Sequence, residues 1–365
     1  MRKLRKAFKS PLLFLRDALL KKHPLILNQN NIHHSTEKII IESLEEIQSS
    51  FEITFPIDLV YSWVDASDEN WLDKKRSYEE TSKHDKFELY AKEDSRFVSH
   101  DEIYYSLKSV EKYMPWVNKI YIVTDRQKPK IPESISKKVL IIDHKDIIPE
   151  QFLPTFNSHV IECYIHKIPN LSEHFVYLND DFFVARPLKP QHFFNSNKIA
   201  NLFISNKKLD IMSNTGRPTA TLSACNNCNS LLKSKFHVHF NNTLVHTYVP
   251  LKKSLYEFTF NLFKQNIAIF SKNRFRSSND LNLATFMVPY IQYQHGHSIP
   301  SIDICFYFNV RSPAANLFYK TLLTIKGTPN APHSFCANDF SSNEFKKNDY
   351  HIRLKKFLKD FFDEI

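Results

Sequence analysis

His174-Phe175-Val176-Tyr177-Leu178-Asn179-Asp180-Asp181 is the stretch on which the reading of this chain turns. Phe175 to Leu178 are large apolar or β-forming residues, which suit the middle of a sheet. Asn179, Asp180 and Asp181 follow where the strand stops. In open α/β sheets, ligands gather outside the carboxyl ends of the strands. Two adjacent carboxylates in that position are costly unless something positive lies beside them, such as a divalent metal or a basic ligand group. The same three residues also suit a plain strand-to-turn junction, because Asn and Asp are ordinary turn residues.

The segments around this one repeat its form. Ile57 to Val64 reads as a strand ending at Asp65, Lys119 to Thr124 as a strand ending at Asp125, and Val139 to Ile142 as a strand ending at Asp143. Ile103, Leu107, Val110 and Tyr113 share one face of a helix over 101–113, with Ser99 or Asp101 as cap. A second helix, over 157–167, feeds the opening strand. This order predicts an α/β fold with a mostly parallel central sheet flanked by helices and one functional edge. Further on, strands are expected at 200–205 and 302–310, and helices at 253–270, 281–294 and 313–325. The 281–294 helix has Ser278 or Asn279 as its cap. Pro332 to Asp339 repeats the apolar-then-Asn-Asp form. Residues 1–50 read as a basic amphipathic segment and linker, 51–340 as the body, and 341–365 as an amphipathic terminal helix.

Composition narrows the chemistry. With 365 residues, 42% hydrophobic and 14% aromatic, the chain can build a sizeable core. A formal charge of +10 favours polyanionic partners. Nucleic acid is disfavoured, because the basic residues are dispersed and no recognised module is present. Only three glycines occur, Gly216, Gly296 and Gly327, so neither a P-loop nor a Rossmann dinucleotide fingerprint can be built. The five cysteines are odd in number and scattered, which fits a reducing compartment and not a disulfide framework. Cys225 and Cys228 form a lone C-x-x-C, with His237 and His239 close enough to leave a zinc reading open. No run reaches the roughly 20 apolar residues of a membrane span. Pro11 to Leu15 is interrupted by Arg16 and Asp17, too soon for a secretory signal. The basic, leucine-rich residues 1–25 suit an anionic membrane surface, at roughly 1 kcal/mol per basic residue; the plainer reading is a helix packed on its own domain.

Two strand ends deliver Asn-Asp: Asn179-Asp180-Asp181 and Asn338-Asp339. Their oxygens suit a hard cation, Mg²⁺ or Mn²⁺. Arg274 and Arg276 precede a capped helix, where guanidinium forks and a helix N-terminus both favour phosphate. His246 titrates near neutrality and is a candidate general base. Asn157, Ser158 and Glu162 begin the helix that feeds the opening strand, so they can line the same mouth. Carboxylates, metal and arginines together describe phosphoryl transfer.

These residues resemble a known family. Ile57 to Asp68 looks like the first conserved region of the Stealth proteins. Arg96-Phe97, Asp101 to Asp125, Leu153 to Ser158 and the opening stretch look like the second. His246 through Arg276-Ser-Ser-Asn-Asp280 resembles the third, and Cys336-Ala-Asn338-Asp339 the fourth. Residues 206–240 match no part of that pattern. The resemblance implies a nucleotide-sugar (GT-A-like) transferase architecture with added N- and C-terminal helices. It implies transfer of a hexose-1-phosphate from a UDP-sugar to a glycan hydroxyl in capsule synthesis, with release of UMP. On it, Asp180, Asp181, His246, Arg276 and Glu162 are catalytic. Asp65, Arg96, Asn157, Ser158, Asn179, Arg274 and Asn338 contact substrate, and Asp181 and Asp339 hold the metal. A cytoplasmic enzyme resting on the inner face of a bacterial plasma membrane is expected. The rivals are a metal-dependent glycosyltransferase, which releases UDP, and a non-enzymatic capsule-assembly protein at the membrane surface.

Overall fold

The computed structural model of the chain describes residues 11–22, 25–81, 97, 99–214, 219–339 and 349–363. In chain order its strands are β1 (Ile57–Ser62), β2 (Ile120–Thr124), β3 (Val139–Asp143), β4 (His174–Asn179), β5 (Phe182–Val184), β6 (Ala200–Lys208), β7 (Asn242–Leu244), β8 (Val249–Lys252), β9 (Ser298–Ser301), β10 (Cys305–Asn309) and β11 (Ser334–Asn338). The main sheet runs β3-β2-β1-β4-β8. Its first four strands are parallel and β8 is antiparallel to β4, as the strand order predicts. Two smaller sheets, β10-β11-β5 and β7-β6-β9, extend it.

β4 is buried on both faces, the usual state of an interior parallel strand. Val176 and Leu178 enter one core cluster, with helix Glu102–Tyr113. Phe175 and Tyr177 enter the other, with helix Ser158–Tyr164. Each such side chain contributes roughly 1.5–3 kcal/mol, so the register of β4 is firmly set. The chain then passes directly from β4 in the main sheet to β5 in the second. Asn179-Asp180-Asp181 is that passage, and the Ala337 amide of β11 donates to the Asp181 carbonyl at 3.1 Å.

Several expectations need correction. Residues 26–55, expected as a linker or an outer layer with a helical patch near Glu37–Gln48, are tied into the body. They form helix His34–Gln48, and Asn28 and Gln29 are buried, with Ile41 in the main core. The terminal helix, Tyr350–Phe362, also sits in that core through Leu354, Phe357, Leu358, Phe361 and Phe362. Residues 253–270 divide into two helices, Lys253–Leu262 and Lys264–Phe270. The 281–294 helix begins with a π-helical turn, Leu283–Met287, capped by Asn282 and not by Ser278 or Asn279. The strand expected at 302–310 is β10 alone. The unmatched 206–240 region folds largely as helices Leu209–Asn214 and Ala220–Phe236. The Cys225 and Cys228 thiols are buried and free, and both face Asn282. They belong to no three-ligand cluster among the described residues, so zinc finds no support there. Also among those residues, no helix is long and apolar enough to cross a membrane.

Candidate active site

The acidic half of the site forms where β4, β11 and helix Glu102–Tyr113 converge. Asp181 accepts from the Asn338 amide at 2.9 Å and the Cys336 thiol at 3.3 Å, both through Oδ2. Its Oδ1 is shielded from solvent and has no hydrogen-bond partner among the described residues. Asp180 lies beside it. Withdrawal from water, followed by the charges of Asp181, Glu102 and Asp65, holds the Asp180 carboxyl well above the usual carboxylate range. Glu102 is raised to about 7, chiefly by burial, with Asp181 and Asp339 adding to it. Such mutual repulsion marks a place that a cation would relieve. The shielded Asp181 Oδ1 and the oxygen-rich surroundings fit a hard cation. Asp181, His246 and Cys336 can also bring three ligand atoms within 4.8 Å of one another.

Asp339 stands at the rim. Arg311 holds both its carboxylate oxygens in a bidentate pair, and the Arg311 guanidinium also donates to Tyr350 at 2.8 Å. Asp65 caps its own turn, accepting from the Ser67 amide at 2.9 Å, while its charge still reaches Asp180.

The basic half lies across the sheet edge. Arg276 donates to the hydroxyls of Ser158 and Thr221. Its loop is pinned from below by Asp280, which is fully buried. Asp280 accepts from the Asn157 amide at 2.8 Å, the His159 ring at 3.1 Å and the Ser277 backbone at 3.1 Å. Asn157 caps helix Ser158–Tyr164 and is itself wholly enclosed. It therefore positions the Arg276 loop, and the structure does not bring it to the mouth as a substrate contact. Glu162 is also buried. Hydroxyls of Tyr177 and Ser158 hydrogen-bond to it, and burial raises its pKa while His159 and Arg276 pull it back. Ser62 bonds Tyr177 at 2.8 Å, tying this group to the β1–β4 edge, where Ser62 pairs with Asn179.

Arg274 is directed elsewhere. It donates to the Pro154 carbonyl at 2.5 Å and lies over the Tyr78 ring at 4.7 Å, which locks the loop. The expected phosphate-binding helix N-terminus is also displaced, because its cap, Asn282, is buried. Arg96 lies outside the described residues.

His246 joins the two halves. Its ring is wedged edge-on between Phe182 at 5.0 Å and Tyr307 at 5.3 Å. Loss of water lowers its pKa; Asp181 opposes this, and Lys207 and Arg276 add to it. The imidazole is therefore neutral near pH 7 and can accept a proton. It feels both the Asp181 carboxylate and the Arg276 guanidinium.

Sequence reasoning missed Glu102, Arg311, Lys207, Tyr307 and Gln29. Glu102 looks like a routine first-turn acid. The others lie on segments whose proximity only the folded chain creates.

Comparison with known proteins agrees with this picture. Residues 55–83 match the model of Stealth protein conserved region 1, and residues 96–202 that of conserved region 2. The chain is 45% identical over 364 residues to the capsular polysaccharide phosphotransferase LcbA of Aeromonas hydrophila, covering 100% of both. It is 46% identical to the capsular polysaccharide phosphotransferase fcs1 of Haemophilus influenzae, covering 99% of this chain and 100% of that one. Among solved structures, a galactosyltransferase LgtC complex with donor and acceptor sugar analogs aligns at TM-score 0.40 and 11% identity, over 84% of this chain and 97% of that one. That structural likeness is too distant to carry an argument. The two full-length relatives and the matched conserved regions show that the chain belongs to the Stealth family, among enzymes of the capsular polysaccharide phosphotransferase type.

Proposed function

We propose that this enzyme transfers a hexose-1-phosphate, with N-acetylhexosamine-1-phosphate as the first choice, from a UDP-sugar to a hydroxyl of a capsular glycan. The acceptor oxygen attacks the β-phosphorus. Its proton passes to the His246 ring, the bond from the β-phosphorus to the bridging oxygen breaks, and UMP leaves with the electron pair. A phosphodiester results. The observation that carries this reading is the closeness of the Asp181 carboxylate to the His246 ring, their ligand atoms lying within 4.8 Å, at a ring that also feels the Arg276 charge. Arg276 neutralises the transferring phosphoryl oxygens. Ser158 and Glu162 hold the guanidinium in place, while Asn179, Asn338 and Asp65 line the acidic side. Asp181, with Asp339 once released from Arg311, would hold Mg²⁺ or Mn²⁺, which when bound supplies charge neutralisation for the diphosphate.

The test is a panel of UDP-sugars with Mg²⁺ and a glycan acceptor. UMP as product supports the reading, and UDP replaces it with glycosyl transfer. No turnover, together with binding to anionic vesicles, would favour a surface-assembly protein. Full phosphotransfer by Asp181→Ala or His246→Ala removes the role given to that residue. We also place the enzyme on the cytoplasmic face of a bacterial plasma membrane, because helix Pro11–Lys22 leaves Leu12, Leu15 and Leu19 exposed at 81%, 56% and 60%.

A further inference from the structure

Gln29 lies in the segment that precedes both matched conserved regions, and it reaches 217 residues along the chain to His246. Its side-chain amide donates to the His246 carbonyl at 3.0 Å, and its side-chain oxygen accepts from the His246 backbone amide at 2.9 Å. Both backbone polar groups of one residue are thus satisfied by one side chain. Gln29 is buried, and its own amide donates to the Cys305 carbonyl of β10 at 2.9 Å. Its neighbours hold it rigidly. The Asn28 side-chain oxygen accepts from the Asn30 and Ile32 amides at 2.9 and 3.2 Å, and the Asn28 amide donates to buried Glu37 at 2.5 Å. Asn30 exchanges bonds with Asn206 on β6, accepting from both its backbone and its side-chain amide at 3.0 Å. The turn at 28–31 is therefore wedged between β6, β10 and His246, three positions before β8.

His246 itself lies in an irregular stretch between β7 and β8, where no strand partner fixes its backbone. Phe182 and Tyr307 confine the ring; Gln29 bonds both backbone groups of His246, with a longer contact from the Cys305 thiol to its carbonyl at 3.6 Å and the Val245 amide before it bonded to Phe203 of β6 at 2.8 Å. We infer that Gln29, carried on the N-terminal turn at 28–31, is a positioning residue for His246. The inference rests on the catalytic role proposed for His246. Misplacement of a reacting group by about 1 Å can cost on the order of a hundredfold in rate without weakening substrate binding.

The experiment uses the full chain and three variants. Gln29→Met keeps the side chain's length and removes both bonds, Gln29→Ala removes the side chain, and Asn30→Ala deletes that side chain's bonds to Asn206 and Ile204 while leaving Gln29's bonds and the Asn30 carbonyl bond in place. Steady-state rates with UDP-sugar and acceptor are measured, with hydrogen exchange at the His246 amide followed by mass spectrometry of its peptide. Gln29→Met is expected to lower kcat about tenfold or more with KM for the UDP-sugar within about twofold. The His246 amide should exchange at least about tenfold faster. Asn30→Ala should leave both within about twofold of the parent. Gln29→Ala should follow Gln29→Met, with an added loss of thermal stability. Unchanged kcat and exchange in Gln29→Met would overturn the inference, as would an equal loss of kcat in Asn30→Ala. If the parent protein turns over no UDP-sugar, the catalytic reading fails, while the exchange arm still decides whether Gln29 holds the His246 peptide.

Discussion

At the scale of the residue, the site carries charge that the fold alone does not neutralise. Glu102 is raised to about 7 from an ordinary 4.5, chiefly by burial. A carboxyl raised in the folded state binds its proton more tightly there than in the unfolded chain. Its contribution is therefore favourable at low pH and is lost as pH rises from about 4.5 to about 7. Asp180 acts in the same direction. Without added metal, thermal stability should fall across that window, by on the order of 3 kcal/mol for Glu102 alone. Glu102→Gln should flatten the fall, and Mn²⁺ or Mg²⁺ should reverse it in the parent protein. Melting curves against pH, with and without metal, check both. A parent protein whose stability is flat across the window would show that Glu102 and Asp180 are not raised. Asp180→Asn is expected to melt at least as high as the parent at neutral pH while losing phosphotransfer, the usual trade between an active site and stability.

At the scale of the element, the loop bearing Arg276 is held by one buried carboxylate. Asp280→Ala removes the acceptor that the His159 ring and the Ser277 amide have among the described residues, and the shortest of the Asn157 amide's bonds. A loss of about 3 kcal/mol or more is expected in urea denaturation, with kcat reduced as Arg276 loses its support. Asp280→Asn should cost less. A stability change below about 1 kcal/mol for Asp280→Ala would mean that the hub does not hold the loop. The terminal helix Tyr350–Phe362 makes a similar prediction. Phe357 packs on Tyr319 at 4.4 Å and Phe335 at 5.6 Å. Phe357→Ala should cost about 3–5 kcal/mol, which thermal unfolding will read.

Such elements also mark how much the sequence discloses. β4 and its acidic end were legible, because apolar run and carboxylate pair are adjacent in the chain. The parallel sheet followed from the order of similar strands. The Asp280 hub was not legible, since Asp280 reads as a turn residue until Asn157 and His159 are brought beneath it. Arg274 and Arg276 look equivalent in sequence, and only folding directs one to Pro154 and Tyr78 and the other to Ser158. The turn at 28–31 is polar, and polar residues suggest a linker; its burial comes from satisfying backbone groups of segments far away.

At the scale of the whole molecule, the formal charge of +10 and the exposed leucines of helix Pro11–Lys22 favour an anionic surface. Flotation with vesicles containing anionic lipid should recover the protein at low salt and release it as salt rises. Replacing Leu12, Leu15 and Leu19 with Ser should weaken binding and leave turnover of a soluble acceptor unchanged. Equal flotation by that variant would remove the attachment role.

Phosphotransfer and glycosyl transfer differ in which bond breaks. A UDP-sugar labelled with heavy oxygen at the bridge between its anomeric carbon and β-phosphorus distinguishes the two possibilities by mass spectrometry. Attack at phosphorus keeps the carbon–oxygen bond, so the label should appear wholly in the glycan product, with unlabelled UMP released. Label recovered in released UDP would show attack at the anomeric carbon and contradict the account.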